Sequence, residues 1–245
     1  MVETFCLRLA AGMAASLLLL PNGVVAERFY RLHFIIILCL LGGAAIFALS
    51  EPSMGFWACS GLALGGAMFG AWAWSFEDWA GGRTPAAVVA ATAPLAALVL
   101  RGDSVLGWNT GIAALTDAAS GAYLGLAITA MLLGHWYLIA INLTIDPLLR
   151  LIRGLGVAIG LRWLIFLFAL GQASGWAFHL DHLSLLWLLM RIGAGLVIGP
   201  ILVYLAWESA KIKSTQSATG ILYAADVCII AGELTEQLLM AHLLA

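Results

Sequence analysis

The chain has 245 residues, 63% of them hydrophobic and only 10% charged, with a mean hydropathy of +1.04 and a formal net charge of -2. A soluble domain carries about 25% charged residues, so this composition cannot furnish a water-facing surface and it implies a lipid bilayer as partner. The mildly acidic balance, with no basic arm, argues against nucleic acid.

Crossing a bilayer takes about 20 predominantly apolar residues in a helix. Eight segments meet or approach that requirement: 4–26, 31–50, 55–76, 85–101, 112–141, 150–172, 183–207 and 218–244. They predict an all-α, polytopic integral membrane helix bundle of about eight transmembrane helices. No connection is long enough for a separate soluble domain, so residues 1–245 form a single transmembrane helical domain.

The first segment has Glu3 before Arg8, and its stronger positive flank, Arg28 and Arg31, follows the apolar run. A signal peptide has the opposite order, so this segment is read as a retained span. His33 lies near the start of the second span. The third ends in Trp72 and Trp74, with Trp79 in the 77–84 loop, as expected of an interfacial aromatic belt. The fourth is short, Ala-rich and interrupted by Pro94. The fifth is long, with Asp117 expected where it enters the bilayer and Gly134-His135-Trp136-Tyr137 near its other end.

The turns at Glu51-Pro-Ser and Arg101-Gly-Asp-Ser separate spans, and the Asn142-Leu-Thr sequon falls on the predicted cytoplasmic side, where no glycosylation is expected. Arg162 lies within the sixth span. His179, Asp181 and His182, with His242, are expected in solvated segments on the outer side. The seventh span contains Arg191, and Pro200 directly after Gly199 should kink it and free a carbonyl. On the eighth, Thr219, Tyr223, Asp226, Glu233 and Gln237 share one helical stripe.

Orientation follows from the cations. Loops after odd-numbered spans hold seven (Arg28, Arg31, Arg83, Arg150, Arg153, Lys211 and Lys213) and loops after even-numbered spans hold only Arg101. The positive-inside rule then puts the odd loops in the cytoplasm and both termini on the outer side. The pairs Gly61/Gly65, Gly66/Gly70, Gly121/Gly125, Gly156/Gly160 and Gly195/Gly199 have GxxxG spacing, which lets helix backbones approach closely in lipid. No internal repeat is evident, which removes the usual sign of an inverted-repeat transporter.

Four cysteines (Cys6, Cys39, Cys59 and Cys228) stand alone in apolar segments without CxxC or CxxCH spacing, and read as small buried residues. There is no P-loop, GxSxG, HExxH or strand-linked GxGxxG, and no metal site is predicted. What remains is ionisable groups inside spans, which point to function by default. Arg191 and Glu233 lie at matched depths and are expected to form a buried charge pair. In the cytoplasmic half, Asp226 is expected to orient His135, with Trp136 and Tyr137 suited to a flat aromatic ligand and His33 nearby.

The first functional expectation is an integral membrane subunit of a respiratory-type electron-transfer complex in the bacterial inner membrane. Such a subunit would handle quinone or b-type haem beside other membrane or peripheral subunits, as part of an oxidoreductase rather than a stand-alone enzyme. The alternative is a small proton-coupled transporter or channel using Asp226 and Glu233. A structural scaffold subunit is the third.

Overall fold

Each apolar segment folds as one helix, and most helices begin a few residues before the apolar run because their first turns are polar. A computed structural model describes residues 1–21, 23–50, 53–76, 83–100, 108–139, 143–172 and 181–243. The helices are α1 Val2–Leu19, α2 Glu27–Phe47, α3 Met54–Ala73, α4 Thr84–Leu100, α5 Trp108–Tyr137, α6 Asp146–Gln172, α7 His182–Lys211 and α8 Thr215–Leu243. Glu27 and Asp146 put a negative charge in the first turns of α2 and α6, where it complements the helix dipole. The Ser184 N–H donates to the Asp181 carboxylate at 3.1 Å and caps α7. Pro94 lies inside α4 without ending it. Glu51, Pro52, Trp79, Arg101, Asp103, Asn142 and His179 fall outside the described residues.

Among the described residues, seven helices are long and apolar enough to cross a membrane, and α4, at 17 residues, is a shorter apolar helix. The faces they turn outward confirm the solvent. On α6, Val157, Leu164, Leu167, Phe168 and Leu170 are exposed, and only 17% of its most apolar stretch is buried inside the protein. A monomeric soluble protein does not present such a continuous apolar face to water. The chain is therefore a multi-pass membrane protein with its outer helix faces in lipid.

Three contacts set the helix directions. Arg8 meets Asp117, Gly12 meets Gly121, and Ser16 Oγ shares a hydrogen bond of 2.6 Å with Thr129 Oγ1, so α1 and α5 run parallel. A side chain at Gly12 or Gly125 would overlap the facing backbone, which makes these glycines the condition for that contact. Ser120 lies against Glu233 and Gly134 against Thr219, an offset of 14 residues in each helix, so α5 and α8 run antiparallel in register.

The C-terminal end of α1 marks the basic end of the bundle. Arg83 donates to the Leu20 carbonyl at 2.7 Å and Arg150 to that of Leu19 at 3.4 Å, placing cations on carbonyls that no helical N–H reaches. All seven cations of the odd loops are exposed. Arg8, Arg162 and Arg191 are buried.

Candidate functional site

α7 is not α-helical throughout. Residues Arg191–Ile198 form a π-helical segment between the α-helical stretches His182–Met190 and Gly199–Lys211, and the Gly199 N–H bonds to the Ala194 carbonyl five residues back. Gly195 thus loses its usual i+4 donor, and at the i+5 position stands Pro200, which has no N–H. The Tyr123 hydroxyl from α5 supplies the missing bond and donates to the Gly195 carbonyl at 2.6 Å. Pro200 does free a carbonyl, and a neighbouring helix takes it. Gly195 and Gly232 bring the backbones of α7 and α8 into contact at this level.

That close approach holds Arg191 and the acidic face of α8 together. Arg162 on α6 donates from Nε to Glu233 at 2.9 Å, approaches the same carboxylate through Nη2 at 2.8 Å, and also bonds Glu236. Arg191 pairs with Glu236 at 3.0 Å, and its guanidinium sits 5.4 Å from the Phe166 ring centroid. Ser120 Oγ donates to the other oxygen of Glu233. Beside them Arg8 pairs with Asp117 at 2.5 Å. With its amide oriented to satisfy both neighbours, Gln237 accepts from Arg8 Nη1 and donates to the Met1 carbonyl, each at 3.1 Å.

Every charged member of this cluster is at most 5% exposed. Three guanidinium groups face three carboxylates, so the cluster is neutral as a whole, which lowers the cost of keeping charge away from water. A fourth carboxyl, Asp226, lies two turns before Glu233 on α8, about 10 Å by helical rise. It is 5% exposed, and among the described residues neither of its oxygens has a hydrogen-bond partner.

No family model, curated protein or solved structure matches the chain.

The structure brings some of the expected residues together and separates others. Arg191 and Glu233 belong to one cluster, but the direct partner of Arg191 is Glu236, one turn on, and Glu233 belongs to Arg162 and Ser120. Asp117, expected where α5 enters the bilayer, is buried inside the bundle against Arg8. Arg162 lies level with Glu233 rather than with Asp226. His135 is exposed, and no hydrogen bond joins it to Asp226. The in-register packing explains the separation: Gly134 faces Thr219, which puts His135 level with Ala218, eight residues and about 12 Å from Asp226. On the α8 stripe, Thr219, Asp226, Glu233 and Gln237 are buried, whereas Tyr223 is 45% exposed.

His33 and Trp136 do share a neighbourhood. The Phe29 ring lies 4.1 Å from His33 and 6.0 Å from Trp136, and Tyr30 stacks on Trp74 at 4.3 Å. His33 Nδ1 bonds the Phe29 carbonyl at 2.9 Å, while Nε2 and both indole N–H groups are buried without a hydrogen-bond partner. Tyr137 turns away and donates to the Thr144 carbonyl. At the opposite end, Asp181 and His242 approach to 3.7 Å on the surface, in keeping with a solvated group. Among the described residues, no group of three His, Cys, Asp or Glu could hold a metal ion.

Glu236, Arg8, Ser120 and Tyr123 were missed as site residues. Spacing offered a signal for most of them: Glu233 and Glu236 are three apart, as are Asp117, Ser120 and Tyr123, so each set shares a helix face. Nothing in the sequence linked Arg8 to that face.

Proposed function

We propose that this protein moves an ion through the membrane interior by way of the carboxyl-bearing face of α8, as a small multi-pass transporter or channel. The observation that carries this reading is the charge count inside the bundle. Arg8, Arg162 and Arg191 are answered by Asp117, Glu233 and Glu236, and among the described residues nothing answers Asp226. Stability does not favour a carboxyl there, since a buried polar group without a partner costs free energy. Intramembrane carboxyls of that kind mark ion and proton pathways. The π-helical segment of α7, packed against Gly232 on α8, supports the same reading, because such segments concentrate at functional sites. The orientation that accompanies the proposal has the basic end in the cytoplasm and both termini outside, on eight membrane-crossing helices.

Purified protein in liposomes loaded with indicators for protons, Na⁺ and K⁺ tests this directly. An imposed membrane potential should drive a flux above that of protein-free liposomes. Equal fluxes for all three ions with and without protein overturn the proposal.

A second reading, quinone handling, is favoured by one observation. His33 presents an acceptor nitrogen, and Trp74 and Trp136 present donor N–H groups, all buried and unbonded around one aromatic cluster. Such a set suits a flat ring carrying hydroxyl or carbonyl oxygens. Loss of bound quinone from membranes carrying His33→Leu, with the protein still inserted, is the expected result. Unchanged quinone content removes this reading.

A further inference from the structure

We infer that the ion carried at Asp226 is a proton and that Asp226 alone, rather than Asp226 with Glu233, is the carrier; this rests on the reading of α8 as an ion path. The first half follows from what surrounds the carboxyl. On its own helix it is flanked by Leu222, Ala225 and Ile229, each fully buried. The antiparallel register puts Ala127 of α5 level with it, between the buried Leu124 and Ala130. A metal cation that sheds its water needs several oxygen ligands around it, whether carboxylates, hydroxyls or freed carbonyls. The nearby freed carbonyl, that of Gly195, is already bonded by Tyr123. A proton needs only one lone pair and a place to go, and a neutral carboxyl sits in apolar surroundings at far lower cost than an ion.

The second half follows from how Glu233 is held. Arg162 grips one of its oxygens through two nitrogens and Ser120 bonds the other. A carboxylate clamped between a guanidinium and a hydroxyl is not free to shuttle its proton, whereas Asp226 has no such bond. The titratable groups around the Tyr123 hydroxyl are Glu233 and Arg162 toward the cluster, Cys228 on α8, and Asp226 itself. Tyr123 is the hydroxyl placed between Asp226 and the cluster, since its register position on α5 corresponds to Ile230 on α8.

The test is ion flux in liposomes for the full chain and for Asp226→Asn, Asp226→Glu and Glu233→Gln, with Na⁺ and K⁺ each omitted in turn. Proton flux should persist without either metal ion, fall to the level of empty liposomes in Asp226→Asn, and survive in Asp226→Glu. A Na⁺ or K⁺ flux that depends on Asp226 without proton movement overturns this inference and leaves the ion-path reading standing. Absence of any flux overturns both. If Glu233→Gln inserts normally yet abolishes proton flux, Glu233 is a carrier and the assignment to Asp226 alone is wrong. Should Asp226→Asn fail to insert, infrared difference spectra decide: a pH jump should change a neutral-carboxyl band that moves in Asp226→Glu. A spectrum without such a band overturns the inference.

Discussion

The Tyr123 hydroxyl and the Gly195 carbonyl, 2.6 Å apart, join α5 to the π-helical segment of α7. The bond exists because Pro200 cannot donate and the Gly199 N–H has shifted to Ala194. A buried carbonyl left unbonded costs about 1–3 kcal/mol. Tyr123→Phe, which keeps the ring and removes the donor, should lower the stability of the detergent-solubilised protein by that amount. Thermal unfolding with Tyr123→Phe equal to wild type would mean that another donor reaches Gly195.

The ion cluster has an unequal internal structure. Arg162 touches both Glu233 and Glu236, and Arg191 touches Glu236. Removing Arg162 leaves Glu233 without a cation and Glu236 with Arg191 alone, so Arg162→Met should cost about 3–5 kcal/mol or prevent insertion. Arg191→Met should cost less, because Glu236 keeps Arg162. Double-mutant cycles should give a larger coupling for Arg191 with Glu236 than for Arg191 with Glu233. The reverse order would restore the pairing expected from depth alone.

Close backbone contact of α1 with α5 depends on Gly12 and Gly125. Gly125→Leu should separate the two helices and with them Arg8 from Asp117. Overpacking ordinarily costs about 1–3 kcal/mol, and a clash with backbone belongs at the upper end or beyond. Gly156→Leu on α6, where an added side chain meets nothing within 4 Å, is the matched control and should be tolerated. Folded yield and unfolding temperature of the two variants provide the comparison.

His135 and His33 should behave differently. His135 is exposed, so His135→Ala is expected to change stability by less than about 0.5 kcal/mol. His33 is fully buried against Phe29, and His33→Ala opens a cavity in the aromatic cluster. A loss of about 2–4 kcal/mol is in the range for removing a large buried side chain. Similar losses for both variants would contradict the placement of His135 on the surface.

For orientation, single cysteines at Lys211 and His242, both exposed, should label oppositely with a membrane-impermeant thiol reagent on intact cells. His242→Cys should react and Lys211→Cys should not, in a background without the four native cysteines. The opposite pattern inverts the topology.

Composition and apolar run length settled the class and the approximate limits of the eight described helices, because a bilayer demands about 20 apolar residues per crossing and seven of the eight meet that demand. Local chemistry also settled the consequence of Pro200, since a missing N–H is a property of the residue itself. Depth was legible within a turn where a helix end could be used as a ruler: Arg191 was expected near Glu233 and lies with Glu236, one turn away. The rest required the tertiary structure. Counting from the helix ends puts His135 and Asp226 level, but the Gly134–Thr219 contact sets the axial offset of α5 against α8 and moves them apart. Arg8 could be matched to Asp117 only once Gly12, Gly121 and Gly125 had brought α1 alongside α5, across more than a hundred residues of chain. Which carboxylate each arginine takes depends on helix register and rotation, and those are decided by side-chain packing between helices rather than by the periodicity within any one of them.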